Sequence, residues 1–98
     1  MTPPCIFCSL PSSGDLYRDE YLRVIEDICP KMKRHYLIIP LVHIEEVSLE
    51  ILQKMWDLLK KFKGPKRIVI NVGHPYQEIP HAHLHVMGDN LTGPRILE

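Results

Sequence analysis

The sequence predicts an α+β domain: an antiparallel sheet of about five strands with one main helix packed on one face. Three observations predict it. Residues 81–87 read His-Ala-His-Leu-His-Val-Met, a polar–apolar alternation with the period of a strand. Residues 49–62 carry Leu52, Met55, Trp56, Leu59 and Phe62 at i, i+3, i+4, i+7 and i+10, one apolar stripe of a helix. Residues 67–72 and 81–87 are both strand-like and are joined by eight residues without a helical pattern. A connection that short makes them antiparallel neighbours.

The elements follow in chain order. Residues 1–4 read as a loose tail, and Cys5-Ile6-Phe7-Cys8 leads into Pro11-Ser12-Ser13-Gly14-Asp15, a loop rich in turn formers. Residues 16–18 form a short strand, Asp19-Glu20 a turn, and residues 21–26, with Val24 and Ile25, a second strand. Residues 27–34 connect, because Pro30 cannot donate to a ladder. Residues 35–39 (His-Tyr-Leu-Ile-Ile) are nearly all β-formers and make a central strand. Ser48 is a good N-cap for the helix, lysines gather toward its end, and Gly64-Pro65 stops it. Residues 67–72 and 81–87 complete the sheet, and residues 89–98 read as tail.

At 98 residues the chain is expected to be a single domain, 1–98, with one modest core. Lys+Arg and Asp+Glu balance at 12 each, so no general affinity for nucleic acid or membrane is expected. No apolar run approaches a membrane span, and the first residues lack a basic start and an apolar signal core. The expected location is cytoplasmic, with the nucleus an alternative. There, three cysteines read as thiols or metal ligands before disulfides.

The chemistry centres on His81, His83 and His85. In a strand they line one face over about 13 Å, while Ala82, Leu84 and Val86 enter a core on the other. A helix would scatter them. Near pH 7 a neutral imidazole is a nucleophile or metal ligand, and a protonated one is a cation for phosphate. Cys5-x-x-Cys8 is a weak signal alone, because two thiols cannot close a tetrahedral metal site. Cys29 reads as a buried thiol and His74 as a solvated loop residue.

The row His81-Ala82-His83-Leu84-His85-Val86-Met87 resembles the His-φ-His-φ-His-φ-φ motif of the histidine triad (HIT) superfamily. Upstream, Asp27-Ile28-Cys29-Pro30 resembles its Asp-Ile-x-Pro, and residues 35–43 its His-x-φ-φ-φ-Pro-x-x-His. Asn71-Val72-Gly73 is similar to Asn-x-Gly, and Gln77-Glu78-Ile79-Pro80-His81 to Gln-(Glu/Ser/Thr)-φ-x-His. The resemblance runs from Cys5 to Gly88 in the family's order.

It implies nucleotidyl transfer or hydrolysis at the α-phosphate of a purine nucleotide such as AMP in a conjugate. His83 would attack phosphorus and form a covalent nucleotidyl-imidazole, with His85 and His35 donating to the phosphoryl oxygens. Asp27 would accept from the ribose hydroxyls, and Asn71 and Gln77 would touch the phosphate or the leaving group. Phe7, Leu10, Ile25 and Ile28 would form the base pocket. In one branch of the family zinc is bound by positions matching Cys5, Cys8, His43 and His81, a structural role; the scheme requires no catalytic metal. Many members are homodimers that pair the helix and the strand after it across a two-fold.

The sequence departs from the family at two places. Leu41-Val42 stands where a lysine often follows the proline, and Gly88-Asp89 matches neither the Gly-Gly nor the Pro-Arg that follows the triad elsewhere. The conjugate therefore stays open among nucleoside phosphoramidate, acyl-adenylate and dinucleoside polyphosphate. A second reading of the whole is a zinc-stapled nucleotide-binding interaction module with little turnover.

Overall fold

The structure is a computed structural model that describes residues 5–93. The expected tail residues 1–4 and 94–98 lie outside the described residues. Five strands, β1 (Tyr17–Arg18), β2 (Leu22–Glu26), β3 (Arg34–Pro40), β4 (Arg67–Ile70) and β5 (Leu84–Gly88), form one antiparallel sheet in the order β1-β2-β3-β5-β4. A short helix α1 (Ile6–Ser9) and a 3₁₀ turn at Ser12–Gly14 precede the sheet, and helix α2 (Leu49–Leu59) lies between β3 and β4.

Strand parity sets the two faces. β3 is central and buried from His35 to Pro40. Its Tyr36 and Ile38 join Val24, Leu84 and Val86 against Met55, Leu58, Leu59 and Phe62 of α2 and the turn after it. Its Leu37 and Ile39 join Phe7 on the opposite face, with Leu10, Ile25 and Ile79 packed beside them. His35 has the parity of Leu37 and so belongs to this second face. Burying a side chain such as Ile38 or Val86 contributes about 2 kcal/mol.

The helix begins where expected: the Ser48 hydroxyl accepts from the Ile51 N–H at 3.2 Å. It ends earlier, at Leu59 rather than residue 62. Lys60, Lys61 and Phe62 donate to Asp57, Leu58 and Leu59, the i→i−3 bonds of a tightened turn. Gly64, at φ 102°, then reverses the chain, and a side chain there would strike the Asn90 carbonyl. The buried stripe is Met55, Leu58, Leu59 and Phe62, with Ile51 beside it. Trp56 is therefore no part of the core: it is 55% exposed, and Leu58 takes the inward place.

One strand boundary and the expected tail also differ in substance. β5 starts at Leu84 rather than residue 81. Leu84 faces both Ile38 of β3 and Ile70 of β4, and neither ladder runs further, so His81 and His83 have no strand partners. Beyond β5, residues 89–93 are not loose. Leu91 is buried in the α2 core, and Thr92 and Lys63 exchange backbone hydrogen bonds at 2.9 and 3.0 Å.

Candidate functional site

The segment before β5 is held by backbone bonds instead of a ladder. The Ala82 N–H donates to the Ile44 carbonyl at 2.6 Å, and the His81 N–H to the Ile79 carbonyl at 2.8 Å. The histidine row survives this. Phe7 packs edge-on against both His81 and His83, and the His83 and His85 rings lie 5.0 Å apart.

Hydrogen bonds select the tautomer that each of four rings adopts when neutral. His83 Nδ1 lies 2.8 Å from the His81 carbonyl, an acceptor only, so Nδ1 carries the proton and Nε2 keeps a lone pair. The Lys31 N–H donates to His35 Nδ1 at 3.0 Å, so the proton of neutral His35 sits on Nε2. That nitrogen lies 2.9 Å from His85 Nδ1 and donates to it, which leaves the His85 proton on Nε2. The chain Lys31 N–H, His35, His85 thus ends in a free N–H donor. His81 Nε2–H donates to the Pro40 carbonyl at 2.9 Å, which turns its Nδ1 lone pair toward Cys5, Cys8 and His43.

Those four residues converge. Their donor atoms all lie within 4.8 Å of one another. Cys5 Sγ is 3.4 Å and Cys8 Sγ 3.5 Å from His81 Nδ1; Cys8 Sγ is 3.3 Å and His81 Nδ1 3.1 Å from His43 Nδ1. A tetrahedral ion with bonds of about 2.1 Å to nitrogen and 2.3 Å to sulfur separates its ligands by about 3.3–3.8 Å. The set needs little adjustment to hold such an ion. The His81 Nε2–H bond to a backbone carbonyl is the support that metal-bound histidines ordinarily have.

A second group, Asp27, His35 and His85, also brings donor atoms together. His35 argues against a metal there. An ion on its Nε2 would force the proton onto Nδ1, against the incoming Lys31 N–H. This group is a hydrogen-bond relay, with Asp27 Oδ2 3.4 Å from His35 Nε2.

The relay face of the sheet opens into a cavity of about 440 Å³. Among the residues singled out in the sequence, it brings together Phe7, Leu10, Ile25, Asp27, Ile28, His35, Asn71, His83 and His85. Gln77 is the exception and lies outside the lining. Its amide donates to the Glu45 carbonyl at 2.8 Å and accepts from the Gly73 N–H at 3.0 Å, so it pins the loop before His81. Cys29 is exposed at the cavity rim rather than buried, because Asp27 Oδ1 accepts its N–H and holds the loop in an outward turn. His74 is exposed, as expected. Sequence reasoning missed Lys31, Tyr76 and Glu78, which also line the cavity. Tyr76 and Glu78 flank Gln77, and Glu78 also fills the Glu/Ser/Thr position of the motif that begins at Gln77.

Burial lowers the pKa of His35 below the usual 6.5; Asp27 opposes this and Lys31 adds to it. Burial likewise lowers His85, helped by His83 and His35 and opposed by Asp27 and Glu78. Both rings therefore favour the neutral state used above. The folded chain binds these protons less tightly than the unfolded chain, which sets the sign. Their contribution to stability is intact above pH 6.5 and is lost as pH falls through 6.5 toward the lowered folded values. With zinc held saturating, Tm is expected to fall between pH 7 and pH 5, and His85→Asn to flatten that slope. An equal slope in the variant would place the titrating groups elsewhere.

Residues 12–91 match the family model described as HIT domain. The chain belongs to the HIT family. This HIT domain is 30% identical over 98 residues to the purine nucleoside phosphoramidase of Escherichia coli, covering 86% of this chain and 82% of that protein. It is 29% identical over 101 residues to the adenosine 5'-monophosphoramidase of Danio rerio, covering 85% of this chain and 63% of that protein's length. Among solved structures it is similar to a zinc-bound histidine triad family protein from Mycobacterium smegmatis. The TM-score is 0.72 and the identity 28%, over 96% of this chain and 84% of the other.

Proposed function

We propose that this HIT domain hydrolyses purine nucleoside phosphoramidates, attacking the α-phosphorus through His83. One observation carries the reading: His83, on the cavity wall, has its Nδ1 proton held by the His81 carbonyl at 2.8 Å, which frees Nε2 as a nucleophile. Phosphoramidase relatives supply the substrate class. Asp27 and the apolar wall of Phe7, Leu10, Ile25 and Ile28 receive the nucleoside. Asn71 meets the phosphate.

The first step forms the bond from Nε2 to phosphorus and breaks P–N. The electron pair leaves on the amine nitrogen, which takes up a proton. Water then adds to phosphorus and loses a proton as the P–Nε2 bond returns its pair to His83. Charge moves onto the phosphoryl oxygens in both steps. The His85 Nε2–H, set by the relay from His35, is the donor that meets it.

Cys5, Cys8, His43 and His81 hold a zinc ion in this reading. When bound, the ion cross-links α1, the turn after β3 and the segment leading into β5. The chain is expected to pair with a second copy through β4, a sheet edge whose Ile68, Val69 and Ile70 are half-buried, and through the exposed Trp56. Sedimentation should return twice the chain mass of 11.4 kDa, and Trp56→Asp should halve it; a wild type running as a monomer would overturn the pairing.

The catalytic reading is tested by incubating the protein with adenosine phosphoramidate, quenching in base and taking an intact mass alongside the AMP released. The expected result is AMP release and an AMP-sized adduct. A wild type with neither would overturn the reading.

A further inference from the structure

The sheet order divides the cavity. The β2–β3 connection brings Asp27, Ile28 and Lys31 to one side, and His83 and His85 stand in the middle. The chain after β4 contributes Asn71 and, from the loop that leads to His81, Tyr76 and Glu78 to the lining. With the nucleoside on the Asp27 side, as in the function proposed above, the leaving group faces this second part of the lining.

We propose that Tyr76 and Glu78 form a leaving-group subsite that selects amines bearing a second, cationic centre, so that the preferred conjugates are nucleoside phosphoramidates of basic amines. This deepens the hydrolase reading and rests on it. Glu78 is exposed, and among the described residues no ion pair or side-chain hydrogen bond engages its carboxylate. Lys31 is the one lysine or arginine on the described cavity wall, and it stands on the nucleoside side. Leu41 and Val42, after Pro40, bring no charge.

A polyphosphate leaving group would carry several negative charges toward a carboxylate with no cation beside it among the described residues. A neutral amine gains nothing from Glu78. A cationic one gains an ion pair, and the Tyr76 ring, 75% exposed two residues before, offers it a π-face. The chemical step is unchanged: P–N breaks and its pair, with a proton, ends on the amine nitrogen. Only the far end of that amine is read.

Because the subsite is open to water, the expected discrimination is modest, about fivefold. The test uses three adenosine phosphoramidates of equal chain length whose amines end in trimethylammonium, hydroxyl or carboxylate. Wild type should show kcat/KM for the trimethylammonium compound about fivefold or more above that for the carboxylate compound, shrinking as KCl is raised. Glu78→Gln should bring the ratio near one, Glu78→Lys should invert it, and Tyr76→Ala should lower the preference for trimethylammonium over hydroxyl. Turnover of the hydroxyl compound with a wild-type ratio near one, or a ratio unmoved in Glu78→Gln, would overturn the subsite and leave the hydrolase reading standing. No turnover of any of the three would overturn both.

Discussion

Replacing His83 with asparagine is expected to erase the nucleotidyl adduct and lower kcat for adenosine phosphoramidate by about a thousandfold or more. AMP affinity should change by less than about threefold, because the nucleoside wall and the His85 donor remain. The substitution is chosen on geometry. Asparagine retains an N–H that can reach the His81 carbonyl, so the bond that aims His83 need not be orphaned. It also fills part of the space against Phe7, whose ring lies 5.0 Å from that of His83. A loss of turnover in this variant therefore reports the missing lone pair and not a collapsed wall. Turnover within tenfold of wild type would remove His83 from the reaction and place the nucleophile on another group.

The second large effect belongs to the Cys₂His₂ cluster. Cys5→Ala should release the zinc and lower Tm to the value of wild type treated with a strong chelator. Zinc binding supplies about 10 kcal/mol or more where a small domain cannot fold without it. Here the sheet and α2 core fold around their own contacts, so less of that appears as stability. A loss of about 2 kcal/mol corresponds to about 10 °C in a domain of this size. Equal melting with and without chelator would sink the zinc reading. The nucleophile should persist in Cys5→Ala, because Cys5 meets His81 through the ring and His83 uses the backbone.

The parts of the molecule that were legible were those fixed by local periodicity. The β4–β5 pairing and the Ser48 cap follow from alternation, a short connection and one hydroxyl. The helix stripe was misread by one residue type. Positions 55, 59 and 62 are compatible with either 56 or 58 as neighbour, and only the sheet decides that Leu58 turns inward and Trp56 outward. The start of β5 was misplaced because alternation says which way side chains point but not where partner strands stop. Leu91 looked like tail because a single apolar residue after a turn has no period to reveal it.

At the site, His81, His83 and His85 announced themselves by spacing, while Cys5, Cys8, His35 and His43 were singled out by the resemblance to the family. Gln77, expected to touch the phosphate or the leaving group, lies outside the cavity lining and bonds the Glu45 and Gly73 backbone, an arrangement that depends on how the loop closes. Tyr76 carried no motif, Glu78 stood in the Gln-(Glu/Ser/Thr)-φ-x-His match without a role assigned to it, and the cavity gave the two a common lining.

The bond from His83 to the His81 carbonyl bears on how such a site can change over generations. Its acceptor belongs to the main chain, so no codon change at position 81 can delete it. Selection can substitute the His81 ring and lose one donor of the Cys₂His₂ cluster while the His83 ring stays aimed. Drift toward a metal-free descendant is then open by single steps at Cys5, Cys8 or His43, provided the Ala82 N–H keeps its hold on the Ile44 carbonyl and the peptide stays where it is.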